Sequence, residues 1–491
     1  MHICIVGSGA SGWLVGNQLK ELSFVEKVTI IGSPKIPHIG VGESTTLTLP
    51  MAHTKFNVKL EDFIRESHAA VKYGVYYKGW SKHDWIHFFK SEIPFKKTKL
   101  SARKYIMLLG NKDPETFIHD IYGSTIWNEV VGKNNVFPEN YGMELENEYP
   151  NTYHFDAGQY IEFLKKQAFK SSKVEFIADT VDRVNFIEQG YIPNLMLESG
   201  RIVEADYYIN TTGQNLKVKN VFNEQYDSIG DVLLTTKAVV YPLPYTNKRE
   251  QFHPYTVAKT MKYGWRWITP TWERIGTGYT FSENHVSVDQ AINEFITDIG
   301  DESIIPSVVD FRPRVNRQTF KINSCSIGMA NGFLEPLDAP GLALTSTVTV
   351  VLERVLETYH QAFKDKSVKY NGNYNNNALI FANSEIKKAY KFWTTFILNQ
   401  YKTCHRFDTP FWIDQKQVKW DDWTLAMKDL NAYCDLIKND YDVMMLAQTT
   451  AARNIQYYTP VSKEIRPIKL PETVPTAMHH FDYIESFHRL K

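Results

Sequence analysis

The stretch Ile3-Cys4-Ile5-Val6-Gly7-Ser8-Gly9-Ala10-Ser11-Gly12 decides the fold. Its apolar opening, with nothing polar inside, reads as a strand of a parallel sheet covered on both faces. The glycines that follow have the spacing G-x-G-x-x-G, and Trp13 to Leu22 reads as a helix. In that setting the first glycine permits the turn and the second lets a pyrophosphate approach the backbone. The third lets helix and strand pack closely. Gly7, Ser8, Gly9, Ala10, Ser11 and Gly12 are therefore expected to bind a dinucleotide.

Working outward, the next strand, Val28-Thr29-Ile30-Ile31, should end in an acid for the ribose hydroxyls but ends in Gly32-Ser33. Ribose binding then falls to Ser33, with a weaker hold expected. Pro37 to Thr46 carries closely spaced glycines and Glu43, which no generic nicotinamide-dehydrogenase pattern requires. Asn57 to Ala70 reads as an amphipathic helix. Val71 to Tyr77 alternates like one strand, with Lys72 on the face opposite Val71, Tyr73 and Val75. On pattern alone Lys72 reads as a solvated lysine. Trp80 to Phe89 is rich in aromatics and histidine. His87 and Phe89 would share a strand face, and a satisfied core histidine is the plain reading of His87.

Further on, Tyr153 to Ala168 reads as helix, Lys173 to Asp182 contains a strand, and Tyr191 to Tyr208 reads as a hairpin ending in a buried strand. That strand runs into Ile209-Asn210-Thr211-Thr212-Gly213, the kind of late, small-residue turn by which two-dinucleotide-type flavoproteins return to FAD. Gly264-Trp265-Arg266-Trp267-Ile268-Thr269-Pro270 places Trp265 and Trp267 on one strand face, with Gly276 to Tyr279 completing a hairpin. Gly332-Phe333-Leu334-Glu335-Pro336-Leu337-Asp338-Ala339-Pro340-Gly341 precedes a long apolar run. A helix opening near Pro340 would begin on proline, and its free backbone N–H groups would suit an anion beside Asp338. The plain alternative is a turn capping a core helix. From Val350 onward the chain reads as mainly helical, including Tyr390 to Phe396 and Trp423 to Asn439. Ile465 to Pro475 reads as a loop before a last short helix.

The 491 residues can bury a large core, and 55 Lys plus Arg balance 55 Asp plus Glu. No net field points to nucleic acid or a membrane surface. Cys4, Cys325, Cys404 and Cys434 lie far apart, without metal-ligand spacing. They argue against a disulfide framework or zinc site and fit a reducing cytosol. No apolar run is long enough to span a bilayer.

Taken together, Gly7 to Trp13, Ile39 to Thr45, Lys72 with Trp80, Gly264 to Pro270, Phe333 to Gly341 and Asp408-Thr409-Pro410-Phe411-Trp412 resemble the flavin-dependent halogenases, specifically the tryptophan-halogenase-like family. The resemblance implies an α/β fold: a flavin-monooxygenase-like FAD-binding domain over 1–350, and a mainly helical substrate or lid subdomain over 351–491. It implies FAD, reduced by a separate flavin reductase, with O2 and a halide as co-substrates and no metal. Hypohalous acid would cross an internal tunnel to Lys72, near a small aromatic substrate, with Asp338 as the catalytic acid. Pro340 and Gly341 fall at the halide site, and Ile39, Val41, Glu43, Val181, Met329 and Leu342 fall where the family touches flavin. His87 and Phe89 match substrate-pocket aromatics, and Trp265 with Trp267 would wall the flavin from the substrate. A cytoplasmic enzyme without nucleic-acid or membrane partners is expected, and a homo-oligomer is compatible with it.

The sequence also departs from that family. Asp338 replaces the usual glutamate, Ala339-Pro340-Gly341 replaces Ser-Thr-Gly, and Thr269 replaces isoleucine. The pattern that grips free tryptophan is not found in the C-terminal helices, so an electron-rich aromatic or indole is expected. Two alternatives stay open at this point: an FAD-dependent aromatic monooxygenase on the same fold, and a flavin-binding protein without turnover.

Overall fold

The protein is described by a computed structural model covering residues 1–36, 42–72, 74–80, 85–88, 136–138, 152–187, 190–214, 220–364, 376–402, 404, 406, 408–419, 422, 424 and 477–489. The opening strand, His2–Val6, lies at the centre of a five-stranded parallel sheet. Its order is Ser324–Ser326, Tyr207–Asn210, His2–Val6, Lys27–Gly32, Val174–Ala178. The helix Ala10–Leu19 packs on this sheet and starts earlier than the pattern indicated, directly on the glycine loop. Gly7 has φ +120°, and a Cβ there would meet the Thr211 carbonyl oxygen at 2.4 Å; a Cβ on Gly12 would meet the Gly7 oxygen at 2.0 Å. Only glycine fits either position.

The Tyr207–Asn210 strand is buried throughout and delivers Thr211, whose Oγ1 donates to the Val6 oxygen at 3.0 Å and the Gly7 oxygen at 2.9 Å. A late strand thus clamps the glycine loop, as the small-residue turn implied.

A seven-stranded sheet stands beside the first, in the order Ser307–Asp310, Lys237–Leu243, Ile275–Phe281, Gly264–Pro270, Tyr255–Met261, Gly74–Lys78, Trp85–Phe88. It is antiparallel except where Gly74–Lys78 runs parallel to Tyr255–Met261. A small antiparallel sheet orders Gly42–Ser44, Thr152–Asp156 and Ala70–Lys72.

Three local expectations change. Val71 to Tyr77 is not one strand: Ala70–Lys72 pairs with Thr152–Asp156, whereas Gly74–Lys78 pairs with Tyr255–Met261 in the other sheet. The expected helix over Asn57 to Ala70 shortens to Leu60–Glu66, bracketed by the left-handed backbone of Asn57 (φ 53°) and His68 (φ 50°). The helix after Tyr153 begins at Ala157, because Asp156 is its N-cap, accepting from the amides of Gly158 and Gln159 at 2.9 and 3.1 Å.

The helix Pro340–Lys364 opens on proline as expected and is continuous through Val350 and Val351, the expected boundary between the two units. Asn376–Lys402, Pro410–Gln417 and His480–Arg489 are also helical. The expected helix over Trp423 to Asn439 and the loop over Ile465 to Pro475 fall almost wholly outside the described residues. Trp13, Trp80, Trp265 and Trp412 rank among the largest fully buried side chains of the core. Among the described residues, no helix is long and apolar enough to cross a membrane, and no group of three or more His, Cys, Asp or Glu is placed to hold a metal ion.

Candidate active site

Lys72 ends the Ala70–Lys72 strand at the junction of two sheets, and its exposure is 0%. The solvated-lysine reading is therefore corrected. The alternation was real, but the side it pointed to is filled by protein, and Lys72 meets Ser44 and Thr45 there rather than water. Lys72 Nζ donates to Ser44 Oγ at 2.7 Å and to the Thr45 carbonyl oxygen at 2.8 Å. Burial pulls its ammonium down to about 7, against an upward pull from Asp338. At neutral pH a substantial fraction is thus neutral amine, the form able to act as a nucleophile.

Asp338 lies 3% exposed in the turn before the Pro340–Lys364 helix. Asp338 and Ala339 both hold φ 59°, and the Ala339 amide closes the turn on the Pro336 oxygen at 2.9 Å. Consecutive left-handed non-glycine residues cost about 1 kcal/mol or more each, a kind of strain concentrated at functional sites. The Tyr77 hydroxyl donates to Asp338 Oδ2. Tyr77 stacks edge-on against Trp80 with ring centroids 5.5 Å apart, and the Trp80 indole donates to the Ala258 oxygen at 2.9 Å. Behind them the Asp408-to-Trp412 motif anchors through Trp412 Nε1 to the Met261 oxygen at 2.9 Å, with the Trp412 ring 5.4 Å from that of Trp80. Pieces from four regions of sequence thus meet around the carboxylate.

Trp265 and Trp267 lie on the Gly264–Pro270 strand with ring centroids 6.1 Å apart. Trp267 presses on Gly278, where a Cβ would meet its ring at 2.3 Å. The Trp265 indole donates to Glu335, a hub that pattern reading did not single out. The Glu335 carboxylate also accepts from Thr235 Oγ1 at 2.6 Å and from the Tyr401 hydroxyl at 3.0 and 3.1 Å. Burial pushes it up to about 7 even though these donors pull the other way. Glu335 ties the tryptophan strand, the Asn376–Lys402 helix and the Asp338 turn to one point. Glu335→Ala leaves these buried donors without their acceptor and is expected to cost roughly 3 kcal/mol or more in denaturant unfolding.

The glycine loop fits a dinucleotide. A Cβ on Gly9 would meet nothing within 4 Å, and the Ala10–Leu19 helix has neither a side-chain cap nor an acid in its first turn. Its first amides are open to an anion. Met329 belongs to the Gly328–Ala330 turn, which comes close enough that a Cβ on Gly328 would meet Ser11 Oγ at 2.5 Å. Leu342 belongs to the helix whose Thr345 Oγ1 lies 3.4 Å from Ser11 Oγ. Residues more than 300 positions apart, Ser11 and Thr345, therefore meet at the start of the glycine-loop helix.

Ser33 follows Lys27–Gly32, with its Oγ 2.7 Å from Thr180 Oγ1, and Val181 opens the strand that comes next. Glu43 lies on Gly42–Ser44, and burial together with Asp156 raises its carboxyl to about 7. Gly341 has open space where a Cβ would stand. Ile39, Val41 and Phe89 lie outside the described residues, and for His87 the structure describes only a backbone position on Trp85–Phe88.

Sequence reasoning missed Tyr77, Glu335, Thr256 and His154. Only Glu335 carried a signal, as an acid within a turn otherwise bound for the core.

A nucleotide loop on a parallel sheet, joined to a buried lysine and a strained carboxylate turn, defines a flavin-dependent oxidoreductase of the halogenase class. A tryptophan halogenase sequence profile matches residues 2–443. The chain belongs to the tryptophan halogenase family. It is 26% identical over 443 residues to tryptophan 6-halogenase ThaL of Streptomyces albogriseolus, covering 86% of this chain and 80% of that one. Against tryptophan 7-halogenase RebH of Lentzea aerocolonigenes it is 26% identical over 442 residues, covering 86% and 79%. The fold matches a crystal structure of tryptophan halogenase from Shewanella frigidimarina NCIMB 400 with TM-score 0.79 at 18% identity, covering 100% of this chain and 98% of that one. BrvH, a flavin-dependent halogenase from Brevundimonas sp. BAL3, matches with TM-score 0.72 at 20% identity and 99% coverage of both chains.

Proposed function

We propose that the protein halogenates an electron-rich aromatic or indole substrate by delivering hypohalous acid to Lys72, with bromide or iodide used in preference to chloride. The observation that carries this reading is the fully buried Lys72, held by Ser44 and Thr45 within the field of Asp338. When bound, FADH2 supplied by a separate reductase provides, with O2, the oxidising equivalents for the halide. The chain's own residues do the rest. Gly7 to Gly12 hold the pyrophosphate and Ser33 the ribose, while Glu43, Val181, Met329 and Leu342 line the flavin. Trp265 and Trp267 wall it from the substrate side, where His87 and Phe89 belong. Free hypohalous acid in water reacts indiscriminately, so making the oxidant in one place and using it in another requires such walls. Asp338 orients the oxidant at Lys72 or takes the ring proton. Residues 1–350 serve as the flavin-binding part and 351–491 as the substrate or lid part.

The halide preference rests on Pro340. It has no backbone N–H, so the helix start offers Gly341 and Leu342 where the family's Ser-Thr-Gly offers one donor more. Chloride is small and strongly hydrated and depends most on strong donors to replace its water. A donor-poor site favours the larger, softer halides. Pro340→Thr restores an N–H and is expected to raise the chlorinated-to-brominated product ratio by about tenfold, since a hydrogen bond to a charged group contributes roughly 1.5–3 kcal/mol. Equimolar halide competition followed by product mass checks this, and mainly chlorinated product from the wild type would contradict the preference.

The proposed activity is tested by combining the protein with FAD, a flavin reductase, O2, each halide in turn and an indole or phenol. Halogenated product mass supports it. Oxygenated product without halide would identify a monooxygenase, and no turnover would identify a flavin-binding protein.

A further inference from the structure

We propose that Ser44, Thr256 and His154 form a proton relay that takes a proton from Lys72 and leaves it a neutral amine, with His154 as the terminal base. The proposal rests on the reading of Lys72 as the halogen-accepting lysine. It follows from a continuous chain of short contacts: Lys72 Nζ to Ser44 Oγ at 2.7 Å, Ser44 Oγ to Thr256 Oγ1 at 2.8 Å, and Thr256 Oγ1 to His154 Nε2 at 2.8 Å.

The fold builds this chain from separate elements. Ser44 and His154 face each other in register on the small sheet, and His154 also pairs in register with Ala70, two residues before Lys72. Thr256 comes from the seven-stranded sheet, opposite Val75, and bridges the two sheets. Lys72 and His154 are 0% exposed and Thr256 is 6% exposed.

The hydrogen-bond directions are consistent with transfer one way. The ammonium must donate, so the Ser44 hydroxyl accepts from it and has its own hydrogen free to give Thr256. Thr256 then has its hydrogen for His154 Nε2, provided the imidazole carries its proton on Nδ1. The Thr45 carbonyl, which also accepts from Lys72, has no hydrogen to pass on. In the transfer one Nζ–H bond breaks, each hydroxyl gains one proton as it gives up another, and an Nε2–H bond forms. Amine plus imidazolium replace ammonium plus imidazole, with no change in net charge. The free amine can then attack hypohalous acid: an N–halogen bond forms as the O–halogen bond breaks, and an amine proton joins the hydroxide to give water. When the amine next needs a proton, the chain returns it.

The other titratable groups near the chain, among the described residues, are Glu43, next in sequence to Ser44 and within the field of Asp156, Asp156 itself, two residues after His154 and paired with Arg274, Tyr255, next in sequence to Thr256, and Asp338, whose field reaches Lys72 and which accepts from Tyr77.

The test joins a spectroscopic and a kinetic measurement. In wild-type protein without flavin, 15N imidazole spectra assigned by comparison with His154→Asn should show His154 as the Nδ1–H tautomer above pH 8. An Nε2–H tautomer would overturn the relay. Thr256→Val should lower kcat for halogenation at least tenfold with KM for substrate and halide unchanged, while Thr256→Ser, which keeps the hydroxyl, should restore most of it. If Thr256→Val does not fold, Ser44→Ala takes its place, and the tautomer is read on wild-type protein in either case. Wild-type kcat in Thr256→Val, combined with loss of halogenation in Lys72→Ala, would sink the relay alone. Full halogenation in Lys72→Ala would instead sink the reading of Lys72 on which the relay rests.

Discussion

Lys72→Ala is expected to lower the yield of halogenated product by at least about a thousandfold, because positioned attack by a held group contributes several orders of magnitude. Binding of flavin should be unaffected, since Lys72 lies on the Ser44 and Asp338 side of the site rather than on the glycine loop. Lys72→Arg should not rescue the reaction: guanidinium stays protonated throughout the accessible pH range and offers no free amine. Stability separates the chemical role from a packing one. The lysine is lowered to about 7 in the folded protein, from about 10.4 unfolded. The cost of burying its charge is therefore fully present below pH 7 and disappears as pH rises from 7 toward 10. Wild-type stability relative to Lys72→Met should rise across that window, as thermal unfolding at a series of pH values would show.

Asp338→Asn should lower kcat by roughly 100-fold or more, the usual contribution of a positioned acid or base. Asparagine is the informative replacement because it tolerates the left-handed backbone that position 338 adopts at φ 59°. A loss of activity would then report the missing charge rather than a broken turn. The substitution should also leave a mark on pH dependence. Asp338 raises the Lys72 value against the larger effect of burial, so removing the carboxylate lowers it further. Residual halogenation, which rises with pH as Lys72 becomes neutral, should therefore begin to rise at lower pH than in the wild type. A rise displaced to higher pH would contradict the placement of Asp338 beside Lys72.

What could be read directly from the sequence was local. The Gly7-to-Gly12 loop is a strand, turn and helix within a few residues, and Gly7 and Gly12 answer to contacts made inside that unit or to Thr211, while Gly9 keeps open space. Proline and glycine likewise marked the start of the Pro340–Lys364 helix. Lys72 shows why the rest was hidden. Its alternation pattern correctly placed it opposite Val71. Whether that face met water depended on Ser44 and Thr45, which bond the lysine, and on Thr256, which comes from another sheet far along the chain. The division of Val71 to Tyr77 between two sheets also depends on partners distant in sequence, and so does the hub role of Glu335, whose donors come from Thr235, Trp265 and Tyr401. Asp338, Trp265, Pro340 and Gly341 take their proposed roles from resemblance, which local pattern alone could not supply. The assignments of Ile39, Val41 and Phe89 concern positions outside the described residues.

The central claim, that oxidant made at the flavin is captured at Lys72, is tested most directly by following where the halogen goes. Wild type and Lys72→Ala would be run side by side with FAD, reductase, O2, bromide and an indole, with a small β-diketone scavenger in solution. Wild type is expected to brominate the indole and spare the scavenger, whereas Lys72→Ala brominates the scavenger and almost none of the indole. Brominated indole from Lys72→Ala at the wild-type level, with the scavenger untouched, would contradict it.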